Sequence, residues 1–226
     1  MFIFSQRARL EDTWAEKVRV KISGDRIEEI KIGVKPENSD IRVDTLLPAL
    51  ANLHSHSFQR AMAGMTEYRV AGRENFWTWR ELMYRFLDFL TPEDIFSIAA
   101  QTFMEMQKSG YASVGEFHYI HHQKGGNPYD NPAELSERII EAASLTGIGL
   151  THLPVLYKYA GTNNQTLQGG QLRFGNSIDD ICKIVSMSQK AIDLLPSDAR
   201  VGVAPHSLRA TSPSDIKELL NCYPNT

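Results

Sequence analysis

The sequence predicts an α/β protein: a β-rich leading segment over residues 1–45, then a series of βα units over residues 46–226. Three observations carry this. Near the start, apolar and polar residues alternate with a period of two, as on a half-buried strand. From residue 46, apolar runs near 46–53, 113–119, 148–156 and 200–206 alternate with stretches of helical character. That order is the signature of a parallel sheet with crossover helices. Ionisable residues, finally, gather where those apolar runs end.

The elements follow in order. "AEKVRVKIS" puts Val18, Val20 and Ile22 on one face of a strand. Gly24 and Asp25 supply a tight turn, and "RIEEIKIG", with Ile27, Ile30 and Ile32, reads as the returning strand. Its alternation is less regular, as a bulge would make it. "VKPENSD" reads as a loop, and "TLLPALANL" as a strand buried on both faces. After a polar and aromatic stretch, "ENFWTWRELMYRFLDFL" reads as a helix whose aromatics serve packing. "TPEDIFSIAAQTFMEMQKSG" has Thr91 to cap a helix, Pro92 to open it and Gly110 to stop it. "ASVGEFHYI" is strand-like, and "NPAELSERIIEAASLTG" repeats the helix logic with Asn131 as cap. Then come the strand "IGLTHLPVL", the helix "SIDDICKIVSMSQKAIDLL", the strand "ARVGVAPHSL" and a helix capped by Ser212. Residues 157–176 form a long Gly-rich connection after a strand, a common place for function.

Composition excludes several classes. The net charge is −3, from 24 basic and 27 acidic residues, with no basic block for nucleic acid or an anionic membrane. No apolar run approaches the roughly 18 residues of a membrane-spanning helix. The start lacks a cationic segment followed by a long apolar one, so no signal peptide is expected. Cys182 and Cys222 form no CxxC, which favours a reducing cytoplasm over a disulfide framework. The expected partner is a small molecule.

The chemistry converges at the strand ends. His54 and His56, at i and i+2, point to the same face of a strand, where two neutral imidazoles can hold a divalent metal. The second run ends in His118 and Tyr119, the fourth in His206 and Arg209. In a βα barrel or an open α/β sheet, that end carries the active site. Plainer readings hold for other residues. His121 and His122 read as solvated loop histidines. His152, inside a strand, reads as a hydrogen-bonded core histidine. Arg209 alone would be an ordinary surface ion pair. Gly169 and Gly170 lack the context of a phosphate loop.

The strings "ANLHSHSFQRAMAGMTE", "SVGEFHYIHH" and "VGVAPHSLRA" resemble the amidohydrolase superfamily of metal-dependent hydrolases and, within it, the N-formimino-L-glutamate deiminases. The resemblance implies the N-terminal part of a (β/α)8 barrel, preceded by strands of a small β-sandwich domain. It implies a zinc site with His54 and His56 as the first two ligands, and substrate contacts from Gln59, Tyr119, His206 and Arg209. It implies hydrolysis of the formimino group to N-formyl-L-glutamate and ammonia. A dianionic substrate calls for guanidinium groups; Arg209 supplies one and Arg80 is the candidate for a second. In such families that region can reach a neighbouring subunit, and a homodimer is expected of the full-length protein. The family pattern also requires a third histidine with a catalytic glutamate, a further histidine and an aspartate on later strands. None matches here before "LLNCYPNT", and residues 46–226 fall short of the roughly 250 residues of a barrel. The expectation is therefore an N-terminal half of about four βα units, without its catalytic residues and inactive alone. The alternatives are an amidohydrolase acting on a cyclic amidine such as a purine or pterin, or a non-catalytic half-barrel serving binding or assembly.

Overall fold

The computed structural model describes residues 1–66 and 75–223. The expected helix start at Glu74, the side chains of Phe76, Trp77 and Cys222, and residues 224–226 lie outside the described residues. The chain divides into two compact units, Met1–Leu50 and Ala51–Thr226.

The first unit is a four-stranded sheet of β1 (Phe2–Leu10), β2 (Thr13–Ser23), β3 (Arg26–Lys31) and β4 (Ile41–Leu46), in the order β3-β2-β1-β4. The β1–β2 and β2–β3 pairs are antiparallel, and β4 joins β1 in parallel. The period of two in β2 puts Val18 and Val20 in a small core with Ala8 and Ala15. Gly24 turns the chain at φ 58° between β2 and β3. Ile22 pairs with Ile27 and Lys21 with Glu29, so Glu28 is the extra residue of a bulge in the returning strand. Ile27, Ile30 and Ile32 are exposed, because β3 is the edge strand and no described layer covers it. The loop before β4 is pinned from β2: the Arg19 guanidinium meets Glu37 at 2.7 Å and Asp40 at 2.9 Å. Asp40 also accepts the Glu37 N–H at 2.8 Å.

The second unit carries β5 (Leu50–Ser55), α1 (Phe76–Leu87), α2 (Pro92–Lys108), β6 (Tyr111–His118), α3 (Glu134–Thr146) and β7 (Gly149–Leu156). It continues with α4 (Ile178–Ile192), the short β8 (Arg200–Val201) and β9 (Ala204–Pro205), and α5 (Pro213–Cys222). The sheet order is β5-β6-β7-β8, with β9 also on β7. The pairs of β7 with β6, β8 and β9 are parallel. Helices between parallel strands are what the alternating pattern predicts, and this is the fold of the leading part of an α/β barrel.

Two expected strands differ in detail. The run at 46–53 is not one strand: Leu46 closes β4, Leu50 opens β5, and Pro48, which has no N–H for a ladder, sits in the break. Nor is it buried on both faces. Leu50 and Leu53 are exposed, because β5 is an edge strand here with β6 as its described neighbour. The last run splits at Gly202 and Val203 into two short pairings, both on β7.

The caps follow the sequence closely. Thr91, Ser177 and Ser212 each accept the backbone N–H three residues on, from Asp94, Asp180 and Asp215, whose carboxylates reach back to the cap. Gly147 ends α3 in the left-handed region at φ 74°. At the start of α3, Ala133 occupies the cap position, not Asn131. Asn131 Oδ1 accepts the Ala133 N–H at 3.0 Å and so turns the chain one step before the helix. Between the sheet and the helices, Phe103 and Ile95 of α2 pack with Ile139 and Ile140 of α3 and with Val114 and Leu150 of the strands.

Candidate active site

His54 is the penultimate residue of β5, and His56 follows it into a 3-10 turn at Ser57–Met62. Their Nε2 atoms lie 3.1 Å apart. His56 Nδ1 is 2.9 Å from the Phe117 carbonyl oxygen. A carbonyl can only accept, so Nδ1 carries the proton and Nε2 presents its lone pair. Two ligands at about 2.0–2.1 Å on a tetrahedral ion stand roughly 3.3 Å apart, so the pair fits a divalent metal. Burial holds the His56 pKa below its ordinary value, keeping the ring neutral and able to ligate. Among the described residues, no cluster of three or more His, Cys, Asp or Glu side chains forms a metal site.

The other strand ends bring their residues to the same place. Phe117 and Tyr119 project to one side of β6. Their rings lie 5.3 and 5.1 Å from that of His56. Gln59 donates from Nε2 to the Tyr119 hydroxyl at 2.8 Å. Tyr119 is buried, which raises its pKa and keeps the phenol protonated. His206, just after β9, stacks edge-on against Tyr157 at 4.6 Å, and its Nδ1 lies 3.1 Å from Ser207 Oγ. Burial, with the nearby charge of Arg209, pushes the His206 pKa down to about 4, so it is neutral at pH 7. Arg80, on α1, is buried, donates from Nη2 to the Tyr157 hydroxyl at 3.1 Å and lies over the Tyr84 ring at 5.1 Å.

These groups enclose a cavity of about 250 Å³, lined among others by His56, Gln59, Arg80, Tyr119, His206 and Arg209. Arg80 and Arg209 also line an adjoining cavity of about 690 Å³ beneath the loop after β7. No Asp or Glu is among the described residues that line either one. Both Arg80 and Arg209 therefore face the same space, which is electropositive and suited to an anion.

The family model for amidohydrolases matches residues 45–222, and a model described as the formimidoylglutamate deiminase HutF N-terminal domain matches residues 1–44. This chain belongs to the amidohydrolase family. A formimidoylglutamate deiminase of Pseudomonas aeruginosa is 44% identical over 219 residues, which make up 96% of this chain and 48% of that protein. The chain thus spans about half the length of the curated relative it matches. An amidohydrolase crystal structure from Brucella melitensis superposes with a TM-score of 0.94 at 40% identity, covering 99% of this chain and 50% of that one. A zinc- and atraton-bound atrazine chlorohydrolase from Arthrobacter aurescens has a TM-score of 0.73 at 17% identity, covering 99% of this chain and 51% of that one. At that identity the likeness is one of fold.

Not every histidine of this amidohydrolase belongs to the site. His118 follows the strand alternation to the opposite face from Phe117 and Tyr119 and is buried beside His121 and His152, with ring centroids 5.6 and 5.5 Å away. His121 is not a solvated loop residue: it is 2% exposed, and its Nε2 meets the Val155 carbonyl at 3.1 Å. His122 is half-buried, with Nε2 2.6 Å from the Gly175 carbonyl oxygen. His152 is in the core as expected, but neither ring nitrogen has a hydrogen-bond partner among the described residues. The aromatic helix does more than pack, since it delivers Arg80 and Tyr84 to the cavities.

Sequence reasoning missed Tyr157, Phe174 and Gln171. Tyr157 directly follows β7, so the rule applied to the other strand ends would have found it. Gln171 and Phe174 depend on the fold of the long loop. There a 3-10 turn at Gly169–Arg173 packs so closely on α1 that a Cβ on Gly170 would stand 2.7 Å from Tyr84 Cβ.

Proposed function

We propose that this chain is the N-terminal half of a zinc-dependent deiminase that hydrolyses N-formimino-L-glutamate to N-formyl-L-glutamate and ammonia. The observation that carries the reading is the pair of guanidiniums, Arg80 and Arg209, lining one cavity with His56. A substrate with two carboxylates and an uncharged or cationic reacting end matches that layout. The 44% identical relative is a formimidoylglutamate deiminase, and the similar atrazine chlorohydrolase structure holds zinc.

His54 and His56 would hold the metal, which when bound supplies hydroxide at neutral pH by lowering the pKa of water to about 7. The other roles fall to the chain's own side chains. Arg209 and Arg80 bind carboxylates, Arg80 being held in place by the Tyr157 hydroxyl. Neutral His206 uses Nδ1 on Ser207 and leaves Nε2 for the substrate. Gln59 and the protonated Tyr119 form a linked pair that offers donors beside His56. Phe117, Tyr119 and Tyr157 keep water from the buried side of the site. The residues that move protons to the leaving ammonia are expected on later strands. The domain division at residues 45 and 46, the cytoplasmic location and a homodimer of the full-length protein belong to the same reading. No described helix is long and apolar enough to cross a membrane.

A second reading, a cyclic amidine as substrate, draws on the aromatic side chains Trp79, Tyr119, Tyr157 and Phe174 in the same lining. Ammonia release by the full-length protein decides between them. Turnover of formiminoglutamate, with none of purines or pterins, supports the first; the reverse overturns it.

A further inference from the structure

Glu116 is a buried carboxylate that the reaction does not use. It is 1% exposed, on β6, and projects to the side opposite Phe117 and Tyr119. Its Oε1 accepts two hydrogen bonds from one residue, the Ser57 backbone N–H at 2.7 Å and the Ser57 hydroxyl at 2.7 Å. Its Oε2 meets no donor at hydrogen-bonding geometry among the described residues, although the Ser55 side chain lies close enough to stabilise the carboxylate. An acid in this position costs desolvation that only a specific task offsets. Ser57 is the residue after His56 and opens the 3-10 turn, and no side chain caps that turn at His56. The next residue of β6, Phe117, takes His56 Nδ1 on its carbonyl. Adjacent residues of one strand therefore grip adjacent residues of the turn: Phe117 holds the imidazole, and Glu116 holds the backbone just beyond it.

We propose that Glu116 is a positioning residue for His56, fixing Ser57 so that, with Phe117, it sets the direction of His56 Nε2. The inference rests on the reading of His54 and His56 as metal ligands. A single hydrogen bond at Nδ1 leaves the ring free to swing about it; anchoring the main chain at Ser57 removes that freedom. Groups that orient metal ligands in this way typically change metal affinity 10–100-fold when lost. The opposite face of β6 thus contributes to the site without touching metal or substrate.

The test uses the full-length protein, with zinc affinity from chelator competition and the visible spectrum of the cobalt(II) form, both taken on folded protein. Glu116→Leu is expected to weaken zinc 10–100-fold and shift the cobalt bands. Glu116→Gln, which keeps an acceptor for Ser57, should stay within about threefold of wild type. Ser57→Ala removes one of the two donors and should weaken zinc and shift the bands in the same sense. Wild-type affinity and spectrum in Ser57→Ala overturn the proposal, whether or not Glu116→Leu folds. His56→Ala separates the two levels. If it still binds zinc as wild type does, the ligand reading falls and the positioning role with it. If it loses zinc while Glu116→Leu and Ser57→Ala do not, the positioning role alone falls.

Discussion

The Phe117 carbonyl oxygen lies 2.9 Å from His56 Nδ1 and so fixes which nitrogen of that ring faces His54. The geometry of the proposed metal pair is thereby set up by a neighbouring strand, not by the HxH spacing alone. His54→Ala or His56→Ala in the full-length protein should abolish zinc binding and turnover together. Metal analysis after dialysis checks this; full zinc occupancy in either variant would remove that residue from the ligand set.

Arg209→Ala should act on binding. Losing a charge-assisted hydrogen bond to a carboxylate costs on the order of 1.5–3 kcal/mol, or roughly ten- to a hundredfold in KM. Steady-state kinetics on formiminoglutamate would show it, and unchanged KM with unchanged kcat would take Arg209 out of the site.

Tyr157→Phe tests whether Arg80 is held as the structure has it. The variant removes a hydroxyl 3.1 Å from the guanidinium while keeping the ring against His206. A net loss of about 0.5–1.5 kcal/mol corresponds to a roughly two- to tenfold rise in KM, with kcat little changed. A fall in kcat alone would mean that the hydroxyl serves the chemistry and not Arg80.

The buried histidines predict acid lability. Burial holds the pKa values of His118 and His121 well below 6.5 and that of His152 at about 3, so they stay neutral in the folded state. Between about 3 and 6.5 the unfolded chain binds a proton at His152 that the folded chain does not, and below 6.5 the depressed His118 and His121 act in the same sense. Their contribution is therefore intact above pH 6.5 and lost as the pH falls below it, at up to about 1.4 kcal/mol per pH unit for each histidine. Urea midpoints of the full-length protein from pH 7 to pH 5 should drop steadily, and His152→Leu should flatten the slope. A flat profile in the wild-type protein would contradict the burial.

Much of this was legible in the sequence because it is local. Helix starts at Thr91, Ser177 and Ser212 need only a side chain and a residue three positions on. That His54, His56, Tyr119, His206 and Arg209 gather in one place follows from one rule about strand ends. What the strand-end rule leaves out is that β6 keeps its alternation to its last residue, so only every second residue there faces the cavity. His118 and Tyr119 are neighbours in sequence, yet one enters the helix-side core and the other the cavity. The grip of Glu116 on Ser57 joins residues 59 positions apart, and no periodicity announces it. The split at Pro48 was visible in the residue itself but outweighed by the apolar run around it.

The 226-residue chain by itself should bind zinc weakly and turn over no formiminoglutamate. It brings two candidate histidine ligands together, whereas a catalytic zinc takes about three protein ligands plus water. Metal analysis and sizing of the purified chain check this; one tightly held zinc per chain would mean that further ligands lie within it.

In the proposed site, His54 and His56 hold the metal while Arg80 and Arg209 hold the carboxylates of the same substrate. A crystal structure of the full-length zinc protein with an unreactive dicarboxylate analogue, with the metal located by anomalous scattering, tests it most directly. The expected result is a zinc peak at about 2.0–2.1 Å from both His54 Nε2 and His56 Nε2, with the analogue's carboxylates on the two guanidiniums. Zinc bound away from these histidines, or carboxylates held elsewhere, would contradict it.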